Sequence, residues 1–546
     1  MEELRLQGNA FVASGEPHKA VPLYIQAMDL YDDVTASGIN KTLDEYTKSA
    51  GNALTCLLKM QDRAACIKVA KRALQVNSIF GKANAAWGRC LMEDASLYGA
   101  GEGPHTAFML LCRAVYELPA LEESSRPFLA AAIGQMLEDK RRATASGSLE
   151  DALAVRKGSC GFGVVAQMDI PPFAEVSSTL GPFSVSAYEE TEGRGCCVSC
   201  GCVLHEATRP SVLPCPTCNM VFYCSPSCLE SHASAHAQYE CTPLMKLKVM
   251  AANVGAQHLD VPEEFFETAF HCITTFSGIR AGKEGHEQIF TLEAHTDEVA
   301  QRFPMVPLVR DLLPNETCDA IAKVVGIIRC NALEICDATG LGVGQSLFVG
   351  KGNITSFFNH SCAPNCAIDA DRNCICTVRR VYKGEELTIA YMPQLYWPAK
   401  LRQDALAERY FFSCRCERCE GSATDPFEKA IVAVQTGSRQ DATKHYHAQV
   451  QTACSAVRCR GPDDLSPREV ERLEALLSEM LVHLFPFHYL CHDVRNTLTF
   501  LYSVMNDTKK CLASCLQELL LWECIVPGAL PVKQMKIRNA LCCLSD

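Results

Sequence analysis

No apolar run in this sequence reaches the roughly 20 residues needed to cross a bilayer as a helix, and the expectation is a protein without membrane-spanning helices. Met1 to Ala10 also lacks the basic, apolar and then small-residue order of a secretory signal, which points to the cytoplasm and nucleus. Positive charge is scarce: Lys and Arg number 51 against 63 Asp and Glu, for a net charge of -12. Phosphate backbones attract clustered cations, so direct nucleic-acid binding is not expected. Long charged or low-complexity tracts are absent, and 48% hydrophobic with 21% charged residues is the composition of a mostly folded chain. At 546 residues that chain exceeds one core and predicts roughly two to four domains. Cysteine, by contrast, is plentiful, at 33 residues. In a reducing compartment clustered cysteines are metal ligands rather than disulfides.

Residues 1–138 are Ala-rich and helical in period, with a recurring trio of small or apolar positions: Ala20, Tyr24 and Ala27; Cys66, Ala70 and Ala73; Ala107, Leu111 and Ala114. Gly8-Asn9 ahead of Phe11, and Trp87-Gly88, supply matching first helices. This pattern resembles tetratricopeptide repeats with lengthened loops such as Leu97 to Pro104, and implies a concave groove for a peptide or partner helix. The competing reading is a helical bundle that braces its neighbour. Residues 139–151, with Lys140-Arg141-Arg142 and then small polar residues, read as a linker. After residue 420 the helical pattern returns. Ser466-Pro467 is a helix start, and Arg495-Asn496-Thr497-Leu498 recurs as Arg538-Asn539-Ala540-Leu541. Residues 421–546 are therefore expected to form a helical repeat-like domain whose last repeat is incomplete.

Between these ends lies Cys197-x-x-Cys200, Cys215-x-x-Cys218, Cys224-x-x-x-Cys228, His236 and Cys241. Eight thiol and imidazole donors at such spacings predict two tetrahedral zinc sites. Asn219 to Cys228 resembles the middle of a MYND finger, a protein-interaction module. That resemblance implies Cys197, Cys200, Cys224 and Cys228 around one ion and Cys215, Cys218, His236 and Cys241 around the other. Two departures stand out: four residues rather than three separate His236 from Cys241, and Cys196, Cys202 and His232 are competing donors.

Three further signatures follow within about sixty residues: Asn359-His-Ser-Cys-Ala-Pro-Asn-Cys366, Gly384-Glu-Glu-Leu-Thr-Ile-Ala-Tyr391, and Cys414-x-Cys416-x-x-Cys419. Together they resemble the core of SET-domain protein lysine methyltransferases and its post-SET zinc site. With the finger inserted, residues 152–420 resemble the SET- and MYND-domain lysine methyltransferases, in the branch that has a tetratricopeptide-like amino-terminal region. The finger spans 196–241, a helical insert roughly 242–325, and the post-SET segment 410–420. The implied fold class is α+β multidomain: a β-rich SET fold split by a MYND zinc finger and flanked by N- and C-terminal helical tetratricopeptide-like domains.

The resemblance also implies roles. Asn359 and His360 would meet the adenosyl part of S-adenosylmethionine, Gly161-Phe162-Gly163 would approach the cofactor, and Asn331 would bind it. Tyr391 would be catalytic, and Tyr410 and Phe412 would wall the lysine channel and adenine side. Cys362 would complete a third zinc site with Cys414, Cys416 and Cys419. Cys160 stands where a basic residue for the cofactor carboxylate is usual, with Arg156 and Lys157 displaced from it, and Phe173 stands where a turn glycine is usual. The expected function is S-adenosylmethionine-dependent methylation of lysine in histone or non-histone proteins. The alternative is a non-catalytic scaffold or transcriptional co-regulator that recruits partners through the finger and the repeats. The protein is expected to be a monomer with protein or peptide partners and three zinc ions.

Overall fold

The computed structural model describes the chain apart from residues 35–41, 78, 100–102, 144–151, 159–160, 188–194, 205–211, 258–263, 303–304, 337–341, 351–352, 370–372, 436–440, 459, 461–463, 526–532, 534–535, 538, 541 and 544–546. Cys160, most of the linker, part of the Leu97–Pro104 loop, and Arg538 and Leu541 of the second Arg-Asn motif lie outside the described residues. The chain divides into two compact units, one gathering residues 1–142 with 430–525 and residues after 532, the other built on 143–429.

The first unit is helical. Its helices Glu2–Ala13, Pro17–Val34, Thr42–Lys59, Arg63–Val76, Gly81–Glu93 and Pro104–Glu117 pack on one another in chain order. Their buried residues include the small and apolar trios: Ala20, Tyr24, Ala27, Cys66, Ala70, Ala73, Ala107, Leu111 and Ala114. A side chain at Gly8 would lie 2.5 Å from the Tyr24 ring, so glycine there sets how closely the first two helices approach. The Tyr24 hydroxyl then donates to Asn9 Oδ1 at 2.8 Å, satisfying a buried phenol. Helices Ala442–Arg458, Pro467–His483, Tyr489–Val504 and Thr508–Ile525, together with Glu122–Ala143, also belong to the unit. Ser466 and Glu469 close a reciprocal cap at the second of these, with Pro467 in its first turn.

The second unit mixes helices with short sheets. Its strands are β1 (Leu153–Gly158), β2 (Gly161–Ala166), β3 (Glu175–Ser178), β4 (Ser184–Ser186), β5 (Leu213–Pro214), β6 (Phe222–Tyr223), β7 (Leu333–Cys336), β8 (Gly342–Leu347), β9 (Asn359–His360), β10 (Cys366–Asp369), β11 (Cys374–Thr377) and β12 (Glu386–Ile389). They form sheets ordered β1-β2-β12-β9, β10-β11-β3, β4-β8-β7 and β5-β6. The first sheet matters most, because it brings three sequence-distant motifs side by side. β12 pairs antiparallel with β2 through Leu387 and Val164, and parallel with β9 through Thr388 with Asn359 and Ile389 with His360. Asn365 stitches this crossing: its amide donates to the Glu386 carbonyl at 2.8 Å and its Oδ1 accepts from Thr388 N at 2.8 Å. Val164, Leu387 and Ile389 are buried in a core cluster that also includes residues of helices Glu264–Arg280 and Cys318–Asn331.

Candidate active site and metal centres

Tyr391 lies just beyond β12, beside His360 at the end of β9. Its backbone N–H donates to His360 Nδ1 at 2.9 Å, and its hydroxyl donates to the Phe358 carbonyl at 2.7 Å. Ring centroids of His360, Tyr410 and Phe412 stand 5.4, 5.0 and 6.3 Å from the Tyr391 ring. Tyr410 ends the helix Ala399–Tyr410 and donates its hydroxyl to the Tyr391 carbonyl at 3.1 Å. Phe411 then takes a left-handed conformation (φ 63°), and both its neighbours lie against the Tyr391 ring. Burial pushes the Tyr391 phenol up, so it remains a protonated donor at neutral pH. Burial likewise lowers the His360 imidazole, to about 4.

On the other side of β9, Asn359 Nδ2 donates to the Phe162 carbonyl at 3.1 Å and to Glu386 Oε1 at 2.7 Å. A side chain at Gly163 would fall 2.4 Å from that carboxylate oxygen and 2.8 Å from Asn359 Nδ2, so any larger residue there would displace one or both of these side chains. Phe162 meets Phe357 edge-on at 6.3 Å. Gly161 (φ +92°) faces Glu293, whose backbone carbonyl accepts from Asn331 Nδ2 at 2.8 Å. Gly161, Phe162, Gly163, Asn331 and Asn359 thus border one region, and His360, Tyr391, Tyr410 and Phe412 border the next, with β9 between. Glu293 and Glu386 were not singled out by sequence reasoning. Glu386 adjoins the named strand motif, but Glu293 reaches the region only through tertiary packing.

The sulfurs of Cys362, Cys414, Cys416 and Cys419 all lie within 4.8 Å of one another. Around them are two buried cations. Arg402 donates to Cys419 Sγ at 3.7 Å and to Glu428 at 3.0 Å; Arg418 donates to Glu428 at 2.6 Å and to the Cys362 carbonyl at 3.2 Å. Arg402 Nε and Arg418 Nη2 are buried without a partner. Two guanidinium groups against one carboxylate leave excess positive charge, which a zinc tetrathiolate of formal charge -2 would offset. The donor set and its surroundings therefore fit zinc.

In the finger, Cys197, Cys200, Cys224 and Cys228 form one donor cluster, and Cys215, Cys218, His236 and Cys241 form another. The extra residue between His236 and Cys241 is taken up by a single π-helical turn, His236–Glu240, leading directly into the helix Cys241–Gln257. That turn brings Glu240 inward. Its carboxylate faces His236 Nδ1 at 2.9 Å and His232 Nε2 at 3.1 Å, while His232 Nδ1 faces the Tyr223 hydroxyl at 3.2 Å. His236 Nε2 is left facing Cys218 Sγ at 3.5 Å. Of the competing donors, Cys196 and Cys202 belong to neither four-donor cluster, and His232 groups only with His236 and Glu240.

A family model for the SET domain matches residues 161–392. The histone-lysine N-methyltransferase SMYD3 of Mus musculus is 28% identical over 232 residues, covering 40% of this chain and 51% of SMYD3. The histone-lysine N-methyltransferase ASHR1 of Arabidopsis thaliana is 27% identical, covering 40% of this chain and 46% of its own. A SET and MYND domain-containing protein of Dictyostelium discoideum is 24% identical, covering 48% of this chain and 79% of its own. The chain thus spans about half the length of the first two relatives. The SET match enclosing a cysteine-rich finger, together with these relatives, supports assignment of the chain to the SET- and MYND-domain-containing proteins.

Proposed function

We propose that the protein is an S-adenosylmethionine-dependent protein lysine N-methyltransferase. The observation that carries this reading is the Tyr391 hydroxyl, donating to the Phe358 carbonyl from a half-buried side chain, at the meeting of β9 and β12 and beside the rings of Tyr410 and Phe412. The cofactor, when bound, supplies an electrophilic methyl group. What remains is positioning and the choice of protonation state, and these fall to the protein. Only about 0.04% of free lysine is neutral at pH 7. An apolar aromatic channel disfavours the ammonium form and so favours the nucleophilic amine. Tyr391, fixed through its hydroxyl and its backbone N–H, orients that amine, and the Phe358 carbonyl provides an acceptor for its hydrogens.

Gly161, Phe162, Gly163, Asn331, Asn359 and His360 line the cofactor side in this reading. The exposed carboxylates of Glu293 and Glu386 suit the positive charges of the amino-acid and sulfonium groups, and the aromatic faces suit a sulfonium as they do other cations. Zinc held by the three four-donor clusters organises the finger and the post-SET segment. The substrate class is a protein bearing an accessible lysine, in keeping with a chain of net charge -12. The finger and the tetratricopeptide-like helices recruit protein or peptide partners.

Calorimetric titration of S-adenosylmethionine into wild type and Asn359→Ala tests the reading. Wild type binds, and Asn359→Ala binds about 10-fold or more weakly, a loss of about 1.4 kcal/mol. Tyr391→Phe keeps cofactor binding and loses about 100-fold in turnover on a peptide array. A wild type that does not bind the cofactor overturns the enzymatic reading in favour of a scaffold.

A further inference from the structure

The His360 imidazole makes two contacts with opposite demands. A backbone N–H can only donate, so the 2.9 Å contact from Tyr391 N makes Nδ1 an acceptor without a hydrogen. A neutral imidazole then bears its proton on Nε2, and that nitrogen stands 3.3 Å from Cys362 Sγ. A protonated nitrogen has no lone pair for a metal, and the four sulfurs of Cys362, Cys414, Cys416 and Cys419 already make a complete tetrahedral set. His360 therefore does not serve as a zinc ligand. Its Nε2–H faces a sulfur that, once metal-bound, is an anionic acceptor.

We propose that His360 is a positioning residue that couples the post-SET zinc clasp to the backbone of Tyr391, donating Nε2–H to the Cys362 thiolate while Nδ1 receives the Tyr391 N–H. The coupling follows from the fold. Parallel pairing sets Ile389 beside His360, so the chain leaving β12 delivers the Tyr391 amide to the ring, while Cys362 is two residues further along the β9 segment. With the metal bound, thiolate and backbone amide hold the ring from its two ends. Without it the Cys362 sulfur is no longer fixed by the clasp, the ring loses one of its two restraints, and Tyr391 loses its fixed acceptor. Arg402 donates to Cys419 in the same cluster, so the clasp thiolates receive hydrogen bonds from two separate elements.

The catalytic consequence rests on the methyltransferase reading; the metal consequence does not. The test uses full-length, zinc-loaded protein and compares His360→Gln, whose amide reaches the Nε2 position, with His360→Asn, whose amide reaches the Nδ1 position, and with His360→Ala. Zinc release to a chromophoric chelator is followed alongside kcat and KM. Expected are release of one of three zinc equivalents about 10-fold faster in Asn and Ala but near wild type in Gln, and a fall in kcat in Gln and Ala that Asn partly rescues. Wild-type release rates in both Asn and Ala overturn the coupling. Should the variants fail to fold, selective ¹⁵N-histidine spectra of wild type decide: a hydrogen on Nε2 of His360 supports the coupling, and one on Nδ1 overturns it. Both metal release and tautomer are read without turnover, so a wild type that fails to bind S-adenosylmethionine overturns the enzymatic reading and leaves these readouts to judge the coupling.

Discussion

The finger and the clasp each set an imidazole Nε2 against a cysteine sulfur, at 3.5 Å for His236 with Cys218 and 3.3 Å for His360 with Cys362. Distance alone makes the two pairs look alike. Their far nitrogens differ. His236 Nδ1 faces the Glu240 carboxylate, an acceptor, so its hydrogen sits there and Nε2 keeps a lone pair for a metal. His360 Nδ1 faces a backbone N–H, so the hydrogen sits on Nε2 and the ring serves sulfur as a donor. The group behind a histidine decides whether it is a ligand or a link, and only the finger needs histidine to complete four donors.

The comparison breaks most sharply when one donor is removed. Cys362→Ala is expected to lose one of three zinc equivalents by elemental analysis, while the finger keeps two, and to weaken cofactor binding as well. Unchanged metal content would sink the clasp assignment. Next in size is Arg402→Met, which leaves the clasp thiolates and Glu428 with a single buried cation. A cost of about 3 kcal/mol in urea unfolding is expected, and a variant as stable as wild type would show that the charge balance around the thiolates is not needed. Glu240→Ala removes the acceptor behind His236. Zinc affinity should fall by about 10- to 100-fold at one finger site, with the clasp unaffected. A loss from the clasp instead would invert the assignment of the two histidines.

How much of this was legible in the sequence follows from how local each signal is. Cysteine spacings are local, and with His236 and Cys241 they marked eleven donors, while Cys362 came from the family resemblance; all twelve stand together in the three four-donor clusters. The Asn-His-Ser-Cys and Gly-Glu-Glu-Leu strands were legible as motifs, and their parallel pairing brings them into one sheet. What could not be read depends on packing between distant segments. Arg402 looks like any charged residue of a polar helix, yet it is fully buried against Glu428 and Cys419. Glu293 meets the Gly161 strand and Asn331 only through the fold of the helical insert. The extra residue after His236 was visible as a departure, but not that a π turn would absorb it and carry Glu240 inward. Helical periodicity likewise marked both ends of the chain as helical without indicating that residues 1–142 and 430–525 share a compact unit.

Backbone conformation extends the comparison, with the smallest expected effect. Among the described residues, the finger meets its left-handed positions with Gly201 (φ 76°) and Asn219 (φ 51°), residue types that tolerate them. The SET region, besides glycines such as Gly161 and Gly384 and besides Asn373, also places Phe173 (φ 64°) and Phe411 (φ 63°) there. Phe411 stands at the aromatic cluster around Tyr391, where strain is retained when the surroundings over-determine it. Phe173 is the position where a turn glycine is usual, and its N–H donates to the Thr377 carbonyl at 2.8 Å, fixing the turn. A phenylalanine there loses about 1–2 kcal/mol to the left-handed conformation and, being half-buried, recovers part of that by packing. Phe173→Gly therefore removes strain and packing together and should change stability little. Phe173→Ala removes the packing and keeps the strain. The glycine variant is thus expected to exceed the alanine variant by about 1 kcal/mol in urea unfolding, reversing the order found where φ is negative. An alanine variant at least as stable as the glycine one would show that the turn relaxes and that Phe173 is not strained.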